Sequence, residues 1–248
     1  MPGASAIIGG SGLQELPGLR VLEQFAEETP WGPASAPVQR GLLEGTELFF
    51  LPRHGGPRAI PPHLINYRAN IAALAARGVR QVFAFNAVGG IDPELAPGTL
   101  VVPDQLIDYT WGREPTYWGA GGGAPLHVEF TEPYDPGARA ALLAAARRAG
   151  IAVRAGAVYA ATQGPRLETA AEIRRLRRDG CDLVGMTGMP EAALAREQGL
   201  AYASLALVVN PAAGVGPAPI TLDAIEAVLA EALPRAVRVL AAAIGAGG

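Results

Sequence analysis

Several short stretches carry side chains able to hold an anion, and each follows an apolar run. Gly9-Gly10-Ser11-Gly12 comes after Ala4–Ile8. Glycines let backbone N–H groups approach an oxyanion closely, and Ser11 adds a hydroxyl donor. Arg53-His54-Gly55 comes after Glu47–Leu51; the planar fork of arginine suits phosphate, and a histidine beside it can add a second donor. Asn86-Ala87, followed by Gly89-Gly90, ends a third run and offers amide and backbone donors, and Thr187 ends a fourth. Each stretch also has a structural reading: a tight turn, a solvated arginine beside an ordinary histidine, or a strand-end amide. Glu168, in Gln163-Gly164-Pro165-Arg166-Leu167-Glu168-Thr169, is either a pocket carboxylate or an acidic residue favoured near a helix N-terminus. Asn210, in Asn210-Pro211-Ala212, is either a ligand or a turn former. Met186 is either core filler or a substrate contact.

These residues need a scaffold that ends many strands on one side. Strands are expected at Ala4–Ile8, Val38–Leu43, Glu47–Leu51, Gln81–Phe85, Leu100–Val102, Gln105–Tyr109, Ala155–Ala161, Asp182–Val184 and Ala201–Val209. Glu44-Gly45 reads as a hairpin turn between the second and third of them. Helices are expected at Leu64–Arg77, Ala138–Ala149, Ala170–Arg178, Pro190–Gln198 and Asp223–Ile244. Trp111–Pro125 is a long glycine-rich loop. The alternation predicts one α/β domain over 1–248, with a mixed, mostly parallel central sheet flanked by helices. Ligands bind such sheets at the carboxyl ends of strands, where the candidate residues fall.

Composition removes whole classes of chemistry. With 248 residues, 50% hydrophobic and net charge −3, the chain is neither disordered nor basic enough for a nucleic-acid partner. A chain of this size buries roughly 75% of its extended-state surface. All twenty basic residues are arginines, which excludes a Schiff-base lysine and a P-loop lysine. One cysteine, Cys181, excludes an internal disulfide, and His54, His63 and His127 have no metal-site spacing, so no metal is expected. No targeting signal or run of about 20 apolar residues is read, so a cytoplasmic protein without a membrane partner is expected.

Taken in order, Ile7-Ile8-Gly9-Gly10-Ser11-Gly12, Arg53-His54-Gly55, Asn66-Tyr67-Arg68-Ala69-Asn70, Asn86-Ala87-Val88-Gly89-Gly90, Gly164-Pro165-Arg166-Leu167-Glu168-Thr169, Gly185-Met186-Thr187-Gly188-Met189-Pro190-Glu191 and Asn210-Pro211-Ala212 resemble the trimeric purine nucleoside phosphorylase and methylthioadenosine phosphorylase family, over nearly the whole chain. The resemblance implies a phosphate site of Ser11, Arg53, His54, Asn86, Ala87 and Thr187, with Met186 under the ribose. It implies Glu168 and Asn210 as the catalytic, base-binding pair, with Pro211 and Ala212 beside them, and places Leu222 near the 5' end of the nucleoside. It implies that His127 reaches a neighbouring subunit's site in a homotrimer, or in a dimer of trimers. The partners implied are a small nucleoside and inorganic phosphate as co-substrate, with no cofactor.

The same resemblance implies phosphorolysis of an N-glycosidic bond. Base choice then turns on hydrogen-bond polarity: a 6-oxopurine presents O6 as acceptor and N1–H as donor, and a 6-aminopurine reverses both. Asn210 with Glu168 agrees with the oxopurine pattern; the aminopurine branch has an aspartate and a small hydroxyl residue there. No histidine follows His127, and Ile220 and Leu222 are apolar, which suits a 5'-methylthio group. The expectation is a phosphorylase of S-methyl-5'-thioinosine, with a general 6-oxopurine nucleoside phosphorylase or a methylthioadenosine phosphorylase as alternatives.

Overall fold

The most apolar strand segments lie in the middle of the sheet, where both faces are covered. A computed structural model describes residues 3–56, 59–119 and 127–245. Among them the strands are β1 (Ala4–Gly9), β2 (Arg20–Phe25), β3 (Glu28–Thr29), β4 (Gly32–Pro33), β5 (Val38–Leu43), β6 (Thr46–Pro52), β7 (Val79–Gly90), β8 (Leu100–Val102), β9 (Gln105–Asp108), β10 (Arg154–Ala155), β11 (Val158–Ala161), β12 (Leu183–Gly185) and β13 (Ala201–Pro211). The helices are α1 (Tyr67–Ala76), α2 (Pro136–Arg148), α3 (Ala170–Arg178), α4 (Glu191–Glu197) and α5 (Leu222–Ile244).

The main sheet runs β10-β8-β13-β7-β1-β6-β5-β2, with a branch β7-β12-β11-β9. β1 pairs in parallel with β6 and β7, β7 with β13, and β11 with β12 and β9. The pairings β7–β12, β8–β13, β5–β6 and β2–β5 are antiparallel. The mixed, mostly parallel sheet is therefore present.

Alternation along β1 sends Ile8 to one face and Ile7 to the other. Ile8 packs in a layer with Ile71 and Leu74 of α1 and Leu194 of α4. Ile7 packs in a second layer with Leu142 of α2 and Val239 and Leu240 of α5. A smaller cluster gathers Ile173 and Leu176 of α3 against Val184 and Ala212. No helix of the described residues is long and apolar enough to cross a membrane.

Several expected boundaries move for identifiable reasons. The helix expected from Leu64 begins at Tyr67, because Asn66 caps it, its side chain accepting from the Ala69 N–H at 3.1 Å; Pro62–Leu64 forms a separate 3₁₀ turn. The strand expected over Ala155–Ala161 splits, since Gly156 adopts a φ of 83° between β10 and β11. The Glu44-Gly45 turn is as expected, with φ of 50° and 84°, a pairing that matches strand twist. β2, an exposed edge strand, has no apolar alternation and was not foreseen. Of the loop expected over Trp111–Pro125, residues 120–125 lie outside the described residues.

Candidate active site

β1, β6, β7, β13 and the segment after β12 bring their carboxyl ends around one cavity of about 510 Å³. Ser11, Arg53, His54, Asn86, Ala87, Glu168, Met186, Thr187, Asn210, Ala212 and Leu222 all line it. Pro211 and His127 do not: Pro211 is paired to Gly90 in the sheet, and His127 sits exposed, its ring 6.2 Å from that of Trp118.

At one end the chain can cradle an anion. The Arg53 N–H donates to the Gly9 carbonyl at 2.8 Å, which binds the β6 end to the β1 turn. A Cβ at Gly10 would lie 2.4 Å from the Phe85 carbonyl oxygen and 2.9 Å from Arg53 Nη1, so only glycine lets this turn come so close. Arg53 itself is not the solvated loop arginine that was the alternative reading of this stretch. It is fully buried, with Nε and Nη2 donating to the two Glu191 oxygens at 2.7 and 2.8 Å and Nη1 donating to Phe85 O at 2.9 Å. Burial opposes its charge, but the Glu191 carboxylate more than offsets this and raises its pKa above the ordinary value. The Tyr202 hydroxyl donates to Glu191 at 2.8 Å and completes the network. Three of the five guanidinium N–H groups are thus engaged, and the other two have no partner among the described residues.

His54 also differs from expectation. Burial, and then the adjacent Arg53 charge, push its pKa below 6.5, so the ring is neutral near pH 7. Its Nδ1 lies 2.9 Å from the Ile60 carbonyl and must carry the proton, which leaves Nε2 an acceptor rather than a second donor. Asn86 is not at a strand end, because β7 continues to Gly90, paired with β12 and β13. Its Oδ1 accepts from the Ser204 hydroxyl at 2.7 Å, and its Nδ2 donates to Thr187 Oγ1 at 2.8 Å. Ser204 thereby fixes which way the amide points, and Asn86 uses one acceptor site of the Thr187 hydroxyl, whose proton remains available to donate.

Glu168 and Asn210 line the same cavity. Glu168 is not the capping carboxylate of α3; that part is taken by Glu172, in a reciprocal pair with Thr169. Glu168 instead accepts a hydrogen bond from Thr162 Oγ1 at 2.6 Å. Asn210 stands at an irregularity in the β13–β7 pairing, where Nδ2 donates to Pro211 O at 2.7 Å. Its second N–H and its Oδ1 remain for a ligand. The third wall is apolar, from Ile220, Leu222, Ile225 and Leu229, with Glu226 and Gln14 near it. Leu222 is the first residue of α5 and is 74% exposed, so it stands at the cavity mouth.

Glu191, Ser204, Thr162 and Arg113 support this site and were not singled out as site residues in the sequence. Glu191 lies in a motif already noted, but its partner is 138 positions away. Arg113 bridges three segments, donating to Met189 O at 2.5 Å, Gln163 O at 2.8 Å and the Tyr67 hydroxyl at 3.2 Å. Nothing in its glycine-rich surroundings signals that task.

Hydroxyl and amide donors, a carboxylate and a second amide lining one cavity suit transfer of a sugar from a base to an anion. Fold and site together define the class of the nucleoside phosphorylases, which are pentosyltransferases. The chain belongs to the Phosphorylase superfamily, whose family model matches residues 5–245. It is 53% identical over 230 residues to the probable S-methyl-5'-thioinosine phosphorylase of Xanthomonas campestris pv. campestris, covering 93% of this chain and 90% of that one. It is 45% identical over 216 residues to the probable 6-oxopurine nucleoside phosphorylase of Moorella thermoacetica, covering 87% and 82%. The methylthioadenosine phosphorylase of Schistosoma mansoni in complex with adenine superposes with a TM-score of 0.92 at 30% identity, covering 98% and 91%.

Proposed function

We propose that this protein is a cytoplasmic homotrimer that cleaves S-methyl-5'-thioinosine with inorganic phosphate, releasing hypoxanthine and 5-methylthioribose 1-phosphate. The observation that carries the reading is the base end of the cavity, where Glu168 and Asn210 face one space whose third wall is the apolar Ile220–Leu229 segment. As the glycosidic bond lengthens, the ribose becomes oxocarbenium-like and the purine gains negative charge. An Asn210 N–H donating to O6 stabilises that charge, and Glu168 accepts from N1–H. Preorganised donors of this kind are worth roughly 10²–10³ in rate each. Phosphate, held by Ser11, Thr187, the Asn86-Ala87 segment and the two remaining Arg53 N–H groups, captures the cation at C1'. Met186 lines the same cavity. No covalent nucleophile and no cofactor are needed.

A substrate panel with and without phosphate tests this. Hypoxanthine release from methylthioinosine should require phosphate and exceed release from inosine in kcat/KM. Equal or better use of inosine would favour the general 6-oxopurine reading.

The trimer makes a separate prediction. His127 is exposed and outside its own chain's cavity, in keeping with service to a neighbour. Mixing His127→Ala subunits with Asn210→Ala subunits should restore activity, because about a quarter of sites in a random cyclic assembly combine both intact residues. No recovery despite demonstrated subunit exchange would confine His127 to its own chain or to no site.

A further inference from the structure

The hydroxyl beneath Glu168 decides which face of the base site the carboxylate can present. Thr162 follows β11 and is half-buried. Its Oγ1 lies 2.6 Å from Glu168 Oε1 and 3.3 Å from the Gly185 carbonyl oxygen. A hydroxyl has one proton to give. The Gly185 carbonyl also accepts from the Thr162 N–H at 2.8 Å, and the hydroxyl proton goes to Glu168 because that contact is the shorter one and its acceptor is a carboxylate. With that proton directed at Oε1, the carboxylate faces the cavity as an acceptor.

The reverse arrangement is poor. A Glu168 that donated to a purine N1 would have to carry its own proton. If that proton sat on the far oxygen, Oε1 would still accept from Thr162, but it would be a neutral carbonyl where a charge-assisted bond had been. If it sat on Oε1, that O–H would donate to Thr162, whose own proton would turn to the longer contact with the Gly185 carbonyl at 3.3 Å, and the charge-assisted bond would be lost. Either route gives up a strong hydrogen bond in a partly desolvated site.

We propose that Thr162 is a positioning residue that sets base specificity, committing Glu168 to accept from an N1–H and thereby penalising 6-aminopurines. This rests on the base-site reading above. The residue need not touch the nucleoside, since it acts through the carboxylate it holds.

The test is kcat/KM for methylthioinosine and methylthioadenosine in the unmodified enzyme, Thr162→Val and Thr162→Ser. Valine keeps the shape and removes the proton, so the preference for the oxopurine should narrow by roughly 10- to 100-fold, mostly through loss on methylthioinosine. Serine should restore it, which a purely steric or folding role would not require. A preference left intact by Thr162→Val, or equal losses on both substrates, overturns the assignment while the base-site reading stands. A preference for methylthioadenosine in the unmodified enzyme overturns that reading and the Thr162 assignment with it.

Discussion

Asn210→Asp will lower kcat/KM for methylthioinosine by roughly 10²–10³-fold, the usual loss when one preorganised donor is removed, and will raise the relative use of methylthioadenosine. The geometry explains why the exchange can work. Asn210 Nδ2 donates to Pro211 O at 2.7 Å. A carboxyl group in that place would set two acceptors together unless it kept a proton toward Pro211 O. Its other oxygen could then accept from a 6-amino group. Glu168 would still meet an unprotonated N1, so the switch stays partial. Adding Glu168→Ser should remove that mismatch and improve the adenine substrate further. The two changes will be non-additive, because they touch one ring. Mispaired polar groups in a base site can cost about 10⁴–10⁵ in specificity. The check is kcat/KM for both nucleosides in the unmodified enzyme, Asn210→Asp, Glu168→Ser and the double variant. If Asn210→Asp leaves the substrate ratio unchanged, Asn210 does not read the base.

The second large effect concerns the buried pair behind the phosphate end. Glu191→Ala should destabilise the protein by about 3–5 kcal/mol, because it strands the Arg53 charge in the interior. For a chain of this size that corresponds to a fall of about 6–20 °C in Tm. Tyr202 would lose its acceptor as well. Replacing both partners together, Arg53→Met with Glu191→Leu, should recover most of the stability, since the pair's attraction roughly balances the cost of burying it. That double variant should nevertheless show a strongly raised KM for phosphate. Thermal melts and phosphate titrations on the three proteins separate the two roles. A double variant with normal phosphate KM would remove Arg53 from the anion site. A Glu191→Ala protein as stable as the original would show that the pair does not hold this region together.

Much of the layout was legible in the residues. The runs at Ala4–Ile8 and Ala201–Val209 read as buried strands because a central strand covered on both faces has no polar alternation. α3 starts at Ala170 as expected, because Thr169 and Glu172 satisfy each other locally. β2 was missed, since an exposed edge strand leaves no hydrophobic pattern. Asn86 reads as a strand end in the sequence because Gly89 and Gly90 follow it. Pairing with β12 and β13 instead carries β7 on to Gly90.

The amino-acid order alone determined which polar groups follow which strands, and so which groups can meet at the carboxyl edge of a parallel sheet. It also determined the donor and acceptor types at Asn210 and Glu168. Only the tertiary structure decided how those groups spend their hydrogen bonds. Arg53 meets Glu191 across 138 positions and Asn86 meets Thr187 across 101. His54 gives its proton to Ile60, and Thr162 gives its proton to Glu168. A side chain's type sets what it can donate or accept. Which of those bonds it makes depends on atoms that strand order brings alongside it, and no local pattern records them.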